Sequence, residues 1–406
     1  MTSASVHQVP MPEFPMSRAE GCPFDPPPGL RDLQQEAPLA RVRLIDGSTA
    51  WLVTRYEEQR AVLADKRVSA DAGKPGYPSG GQIRQGSGNP IGFILMDDPE
   101  HARLRRMVTA PFMIKRVEAM RPAIQRIVDD LLDTMLAGPN PVDLVEVFAL
   151  PVPSLVICEL LGVPYADHGF FQRSSRSLVS RTVPPAERMA SFQGLHDYLD
   201  DLLAEKTARP GDDLLSTLTE RVKAGELTRS DAAGIGVLLL IAGHETTANM
   251  IALGTLALLE NPDQLALLRD TDDPAVVAGA VEELLRYLNI THNGRRRVAL
   301  EDIEIGGQVI RAGEGLIVAN DIGNRDPAMF ADPDRLDVTR DARRHVAFGF
   351  GVHQCLGQPL ARVELQVVYG TLYRRVPTLA LAADRDSIPF KHDAAVYGVH
   401  ELPVRW

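Results

Sequence analysis

Apolar residues recur at helical spacing through most of the middle of the chain. Lys115–Leu136 and Ser191–Thr207 space them three and four apart, and Arg229–Glu260 does so over a length that suits a helix running through a core. Ala278–Leu288 repeats the pattern. A further run, Leu356, Leu360, Val363, Leu365, Val367, Val368 and Leu372, predicts a helix starting at or near Cys355. Pro359 is tolerated there, because a first-turn N–H has no intrahelical partner to lose. Two strand-like runs flank Asp46-Gly47 within residues 41–55, a hairpin signal. Residues 298–318 alternate and turn at Gly306-Gly307, and residues 377–406 read as short strands and turns. Residues 1–30 are an irregular lead-in. Residues 70–92 form a long Gly/Pro/Ser-rich loop, of the kind that is usually functional or disordered. Residues 319–350 carry few regular signals. The pattern predicts one predominantly helical domain over residues 1–406, with small sheets toward both ends, no dividing linker and no internal repeat.

Composition narrows the class. With 406 residues and 45% hydrophobic content the chain can bury a large core. No window approaches 18 unbroken apolar residues, and the proline-rich start lacks a basic region followed by an apolar one, so neither a membrane span nor a secretory signal is expected. Three cysteines far apart make no disulfide framework, which points to a reducing, cytoplasmic setting. A net charge of −11 argues against nucleic acid as the default partner.

Chemistry concentrates around Cys355. The run Phe348-Gly349-Phe350-Gly351-Val352-His353-Gln354-Cys355-Leu356-Gly357 lets the backbone turn tightly and approach a flat ligand. A sulfur at a helix N-terminus sits among unpaired N–H groups, which favours the thiolate, a good metal ligand. Cys22 and Cys158 read instead as small buried hydrophobes. Within the long helix, Ala242-Gly243-His244-Glu245-Thr246-Thr247 lacks the second histidine of a zinc helix, since position 248 is Ala248. Glycine and threonines weaken the helix there, and a threonine hydroxyl can bond back to a carbonyl and bend it. A widened turn would admit a small molecule, and an acid followed by an alcohol can relay protons. His244 reads as a helix-surface or supporting residue. Glu283 and Arg286 share a helix face; as a surface pair they would contribute little. His101 and Arg105, four apart after Pro99, face one way, and arginine's planar fork suits carboxylates.

The cysteine loop resembles that of the haem-thiolate monooxygenases, the cytochromes P450, and the other motifs follow in that family's order from about Cys22 to Trp406. The resemblance implies the family's fold, a helical bundle with a long central helix. It implies haem b (iron protoporphyrin IX), with Cys355 as the iron ligand in a loop that includes Phe348, Gly349 and Gly357. Ala242 and Gly243 would floor the oxygen groove, with Glu245 and Thr246 as the catalytic acid and alcohol. His101, Arg105, Arg297 and His353 would bind the propionates. Glu283 and Arg286 would be buried and joined by Arg335. Arg295 and Arg296 are extra cations, solvated or facing an acidic substrate group. Several stretches, including Ala149-Leu150-Pro151-Val152-Pro153-Ser154 and Ile241–Thr247, are similar to the actinobacterial branch that oxidises macrolides, vitamin D-like sterols and foreign compounds.

The implied reaction puts one atom of O2 into a medium-to-large apolar substrate. No Gly-x-Gly-x-x-Gly opens a βαβ unit, so electrons would come from outside the chain, and the resemblance to the family's soluble bacterial members implies a ferredoxin and its NAD(P)H-dependent reductase. Arg343, Arg344, Arg362, Arg105 and Arg106 are candidates to dock that acidic partner on a monomeric enzyme. Substrate walls would include Arg84, Ile94, Leu178, Val179, Val237, Leu238, Ile290 and Val396, each equally readable as core or solvated surface. A hydrogen peroxide-using peroxygenase would commonly lack the acid–alcohol pair, and a non-catalytic haem sensor would need neither that pair nor a docking face.

Overall fold

The computed structural model describes residues 11–19, 21–79, 92–180, 182–392 and 394–406. Helices dominate, as the periodicity predicts. Those that build the site are α1 (Glu100–Thr109), α2 (Ile114–Ala137), α3 (Pro151–Leu161), α4 (His168–Val179), α5 (Pro185–Ala208), α6 (Arg229–Leu259), α7 (Pro274–Tyr287) and α8 (Gln358–Arg375). The long helix α6 begins with a capping box: Thr228 accepts from the Asp231 N–H while Asp231 accepts from the Thr228 N–H. It is apolar nearly all round and long enough to cross a membrane, yet it packs inside the protein against α3, α5 and α8, and its second half, from Thr247 to Leu258, is buried throughout.

The main sheet corrects one expectation. Its six strands run in the order Glu13–Phe14, Leu39–Leu44, Thr49–Val53, Gly315–Val318, Arg295–Ala299 and Val68–Ser69. The hairpin around Asp46-Gly47 therefore shares one sheet with Arg295–Ala299 and Gly315–Val318, Thr49–Val53 running parallel to Gly315–Val318, while Ile303–Ile305 and Gln308–Ile310 pair as a separate two-stranded sheet. Hydrophobic alternation locates strands but not their partners. A three-stranded sheet likewise joins Val142–Asp143 to Ala380–Leu381 and Pro403–Arg405.

One apolar cluster links α2, α3, α5, α6, α7 and α8, and smaller clusters lie between the sheet and its covering helices. This arrangement leaves a space between α6 and the cysteine loop, closed at its edge by α1 and the strand Arg295–Ala299.

Candidate active site

The loop before α8 is shaped by its glycines. Gly349 and Gly351 have φ of +74° and +73°, which side chains rarely adopt. At Gly351 a Cβ would also meet the Leu63 carbonyl oxygen at 2.2 Å, and at Gly349 it would meet Arg295 Nε at 3.0 Å. These two glycines thus serve close packing of protein on protein. Helix α8 starts at Gln358, three residues later than Cys355, with Gly357 as its cap. Cys355 is held ahead of the helix by its own N–H, which donates to the Phe348 carbonyl at 2.9 Å. Its side chain opens onto a cavity within the protein. Burial pushes the thiol up, while the Gly357 N–H and the charges of Arg295, Arg105 and Arg362 pull it back. Cys158 is buried as expected; Cys22 is exposed.

That cavity measures about 500 Å³ and brings most of the candidate residues together. His101, Arg105, Arg297, His353, Phe348, Cys355, Gly357, Ala242, Gly243 and Thr246 all line it. On α6 the helix runs unbroken through Gly243, so no widened turn makes the groove. Ala242 opens onto the space, and the Thr246 hydroxyl donates to the Ala242 carbonyl at 2.6 Å. Gly243 lets α3 approach: a Cβ there would meet Ile157 Cδ1 at 3.1 Å.

Glu245 lies elsewhere. It is 1% exposed and opens onto a second cavity of about 470 Å³ on the far side of α6, among Arg173, Arg176, Glu187, Lys391 and His400. Its Oε2 is 3.5 Å from Lys391 Nζ, and its Oε1 has no hydrogen-bond partner. Neighbours in sequence stand about 100° apart around a helix, so an acid and an alcohol side by side face different spaces. His244 is 2% exposed, which corrects the surface reading, and burial pushes its imidazole down toward the neutral form.

The cationic rim fits a ligand with two carboxylates. His101 Nδ1 lies 3.1 Å from Asp98 Oδ1, and its Nε2 is buried without a partner. Its ring centroid is 4.1 Å from that of His353. Burial, with Arg297 and His101 nearby, holds the His353 imidazole down at about 4, so it is neutral at pH 7. Arg105 Nη2 donates to the Gln354 carbonyl at 2.7 Å, and Arg297 Nη1 to the Arg296 carbonyl at 2.7 Å. Each keeps only part of its fork engaged by these bonds, which leaves donors for an anion. Arg295 is not solvated: it bonds the Asn320 side chain and donates to the Ala347 carbonyl at 2.8 Å, bracing the cysteine loop, and it also lines the cavity. Arg296 lines the cavity and holds the Ser79 carbonyl.

Glu283 and Arg286 are both fully buried and paired through two bonds of 2.7 and 2.8 Å. The expected third member needs correction. Arg335 is exposed and offers only its carbonyl, 3.3 Å from Arg286 Nη2. The side chain that reaches Glu283 is Arg340, at 3.3 Å, and the Asp337 N–H donates to the same oxygen at 3.0 Å.

Of the candidate substrate walls, Ile94, Leu238 and Ile290 line the main cavity. Val237 is buried in the core, Leu178 packs against that core, and Val396 lines the second cavity. Arg84 and the side chain of Val179 lie outside the described residues. Tyr77, Leu239, Thr247 and Asn289, which lie in stretches expected to wall the substrate but were not singled out, also line the space, as does Glu364. Leu239 and Thr247 were within reach of the helical period. Glu364 carried no signal.

The comparisons agree with this geometry. The Cytochrome P450 family profile matches residues 30–377. Cytochrome P450 GfsF of Streptomyces halstedii is 58% identical over 97% of this chain and 96% of its own. The crystal structure of GfsF superposes with a TM-score of 0.91, covering 97% of this chain and all of that one. A vitamin D3 dihydroxylase of Streptomyces griseolus is 46% identical over 100% of this chain and 99% of its own. A mycinamicin VIII C21 methyl hydroxylase of Micromonospora griseorubida is 44% identical over 97% and 99%. A cavity lined by a thiol, an alcohol, two arginines with spare N–H donors and two histidines suits haem b, and the chain belongs to the actinobacterial cytochromes P450 as a haem b monooxygenase.

Proposed function

We propose that this monooxygenase inserts one oxygen atom of O2 into a medium-to-large, mostly apolar secondary metabolite or xenobiotic, working as a cytoplasmic monomer of a single domain with electrons from a ferredoxin and its NAD(P)H-dependent reductase. The observation that carries the reading is that Thr246 and Cys355 line one cavity, whose apolar walls include Phe93, Ile94, Leu238, Leu239, Met250 and Ile290. Among relatives, the mycinamicin VIII C21 methyl hydroxylase and the vitamin D3 dihydroxylase support a substrate of this class.

Cys355 is the iron ligand in this reading, held ahead of α8 by its N–H bond to Phe348. When bound, the haem supplies oxidising chemistry that its thiolate ligand favours. His101, Arg105, Arg297 and His353 hold its propionates. The Thr246 hydroxyl, resting on the Ala242 carbonyl, can turn to hold a proton at the oxygen side of the cavity. Glu245 stands behind it on the far side of α6, with Lys391 Nζ 3.5 Å from its Oε2, and supports the relay from there. Exposed Arg343 and Arg344 serve ferredoxin docking. Arg105 is committed to the cavity and Arg362 to an internal ion pair, so they leave that set.

Thr246→Ala tests the reading. The variant should bind haem and substrate normally but divert most reducing equivalents to peroxide, measured as product formed per NAD(P)H consumed. Unchanged coupling would remove Thr246 from the relay. Hydrogen peroxide replacing the ferredoxin system at equal rate would favour a peroxygenase.

A further inference from the structure

Next to the buried lock, Glu282 builds a second one around the cysteine itself. Glu282 is 7% exposed. Its Oε1 accepts from Arg362 Nε at 2.6 Å, and its Oε2 accepts from Arg362 Nη2 at 3.0 Å and lies 3.1 Å from His345 Nε2. Glu282 belongs to α7, His345 to the chain leading into the cysteine loop, and Arg362 to α8 just after it. The trio therefore ties both sides of Cys355 to one helix.

The proton on His345 is placed by geometry. The Ala347 N–H donates to His345 Nδ1 at 3.1 Å, so that nitrogen carries the lone pair and Nε2 carries the hydrogen that Glu282 accepts. Burial works against the Glu282 charge, but the bonds from His345 and Arg362 outweigh it and hold the carboxyl down at about 2. Glu282 thus faces Arg362 as a fixed carboxylate. The Arg362 guanidinium also stacks over the Phe348 ring, 4.6 Å from its centroid, and Nη1 donates to Gln358 at 2.8 Å. Phe348 is the residue whose carbonyl receives the Cys355 N–H. Arg362 is one of three arginines whose charge acts on the Cys355 sulfur.

We propose that the Glu282–Arg362–His345 clamp sets the electron affinity of the haem: Glu282 cancels part of the Arg362 charge felt at Cys355, and His345 fixes the carboxylate that does so. None of the three touches the reacting atoms; they are positioning residues. The inference rests on Cys355 as the iron ligand.

Spectroelectrochemical titration of the holoenzyme tests it with E282Q, R362Q, R362K and the E282Q/R362Q pair. Removing a carboxylate and removing a cation have opposite Coulombic effects at one site. E282Q should favour the reduced haem and R362Q the oxidised haem, each by about tenfold in the one-electron equilibrium, or about 59 mV. The double variant should return toward the wild type, and R362K, which keeps the charge but loses the fork, should stay near it. Shifts of the same sign in E282Q and R362Q, or no shift, would overturn the proposal in favour of a purely mechanical clamp. Should R362Q lose its haem, E282Q against R362K decides: a shift in the first and none in the second supports a charge effect, and any other pattern overturns it. The reduced carbon monoxide spectrum of the wild type separates the two claims, since loss of the thiolate-type band there would indict the ligand assignment.

Discussion

Glu364 is a carboxylic acid placed where none of the described chemistry calls for one. It is 3% exposed on α8, its Oε2 has no hydrogen-bond partner, and burial pushes it up to about 8. At pH 7 it is protonated in the folded protein and ionised in the unfolded chain. The folded state then binds more protons, so its contribution to stability is complete below about pH 4.5 and is lost as pH rises through about 8. Glu364→Gln should abolish this dependence and stabilise the protein at pH 8 by on the order of 4 kcal/mol relative to the native chain, read as the pH profile of thermal unfolding. A parallel shift at all pH values would deny Glu364 the role. The residue scale also shows what sequence carries unaided. Cys355, with its flanking glycines and phenylalanines, announces itself because the loop is local. Glu245 next to Thr246 misleads because adjacency in sequence hides a rotation of about 100° around the helix.

At the scale of elements, α7 holds the cysteine segment through two successive acids. Glu283 faces Arg286, Arg340 and the Asp337 N–H; Glu282 faces Arg362 and His345. Removing one partner of a buried pair strands the other, which costs about 3–5 kcal/mol. Glu283→Gln should therefore lower stability by that order and release haem faster in a transfer assay, and Arg340→Ala should do so more mildly because it is 13% exposed. Arg335→Ala should leave both measurements unchanged, since its contribution is a backbone carbonyl. The helical pairing was legible in the spacing of Glu283 and Arg286. The choice between Arg335 and Arg340 was not, because it depends on how the 332–341 turn folds back, and that turn has no periodicity to read.

Across the whole molecule, charge is unevenly used. The chain carries −11 overall, yet exposed Arg343 and Arg344 lie on the way into the cysteine loop, where Val352 is 54% exposed. Long-range attraction between such a patch and an acidic partner acts mainly on encounter rate and is screened by salt. Replacing both arginines by glutamate should raise the KM for ferredoxin several-fold at low ionic strength, leave substrate binding spectra unchanged, and lose its effect as salt is added. An equal loss at all salt concentrations would place the docking face elsewhere.

The main sheet also dictates a timetable. Thr49–Val53 pairs in parallel with Gly315–Val318, whose register sets Ala50 against Gly315. A ribosome adding about 5–20 residues per second makes the first strand wait roughly 10–50 s for its partner. Through that interval the helices between them can form, while the hairpin that begins the sheet has one edge bare. The newborn enzyme is therefore exposed to mispairing at its first-made strands, and the haem pocket, bounded by Arg295–Ala299 on the same sheet, closes among the last parts of synthesis.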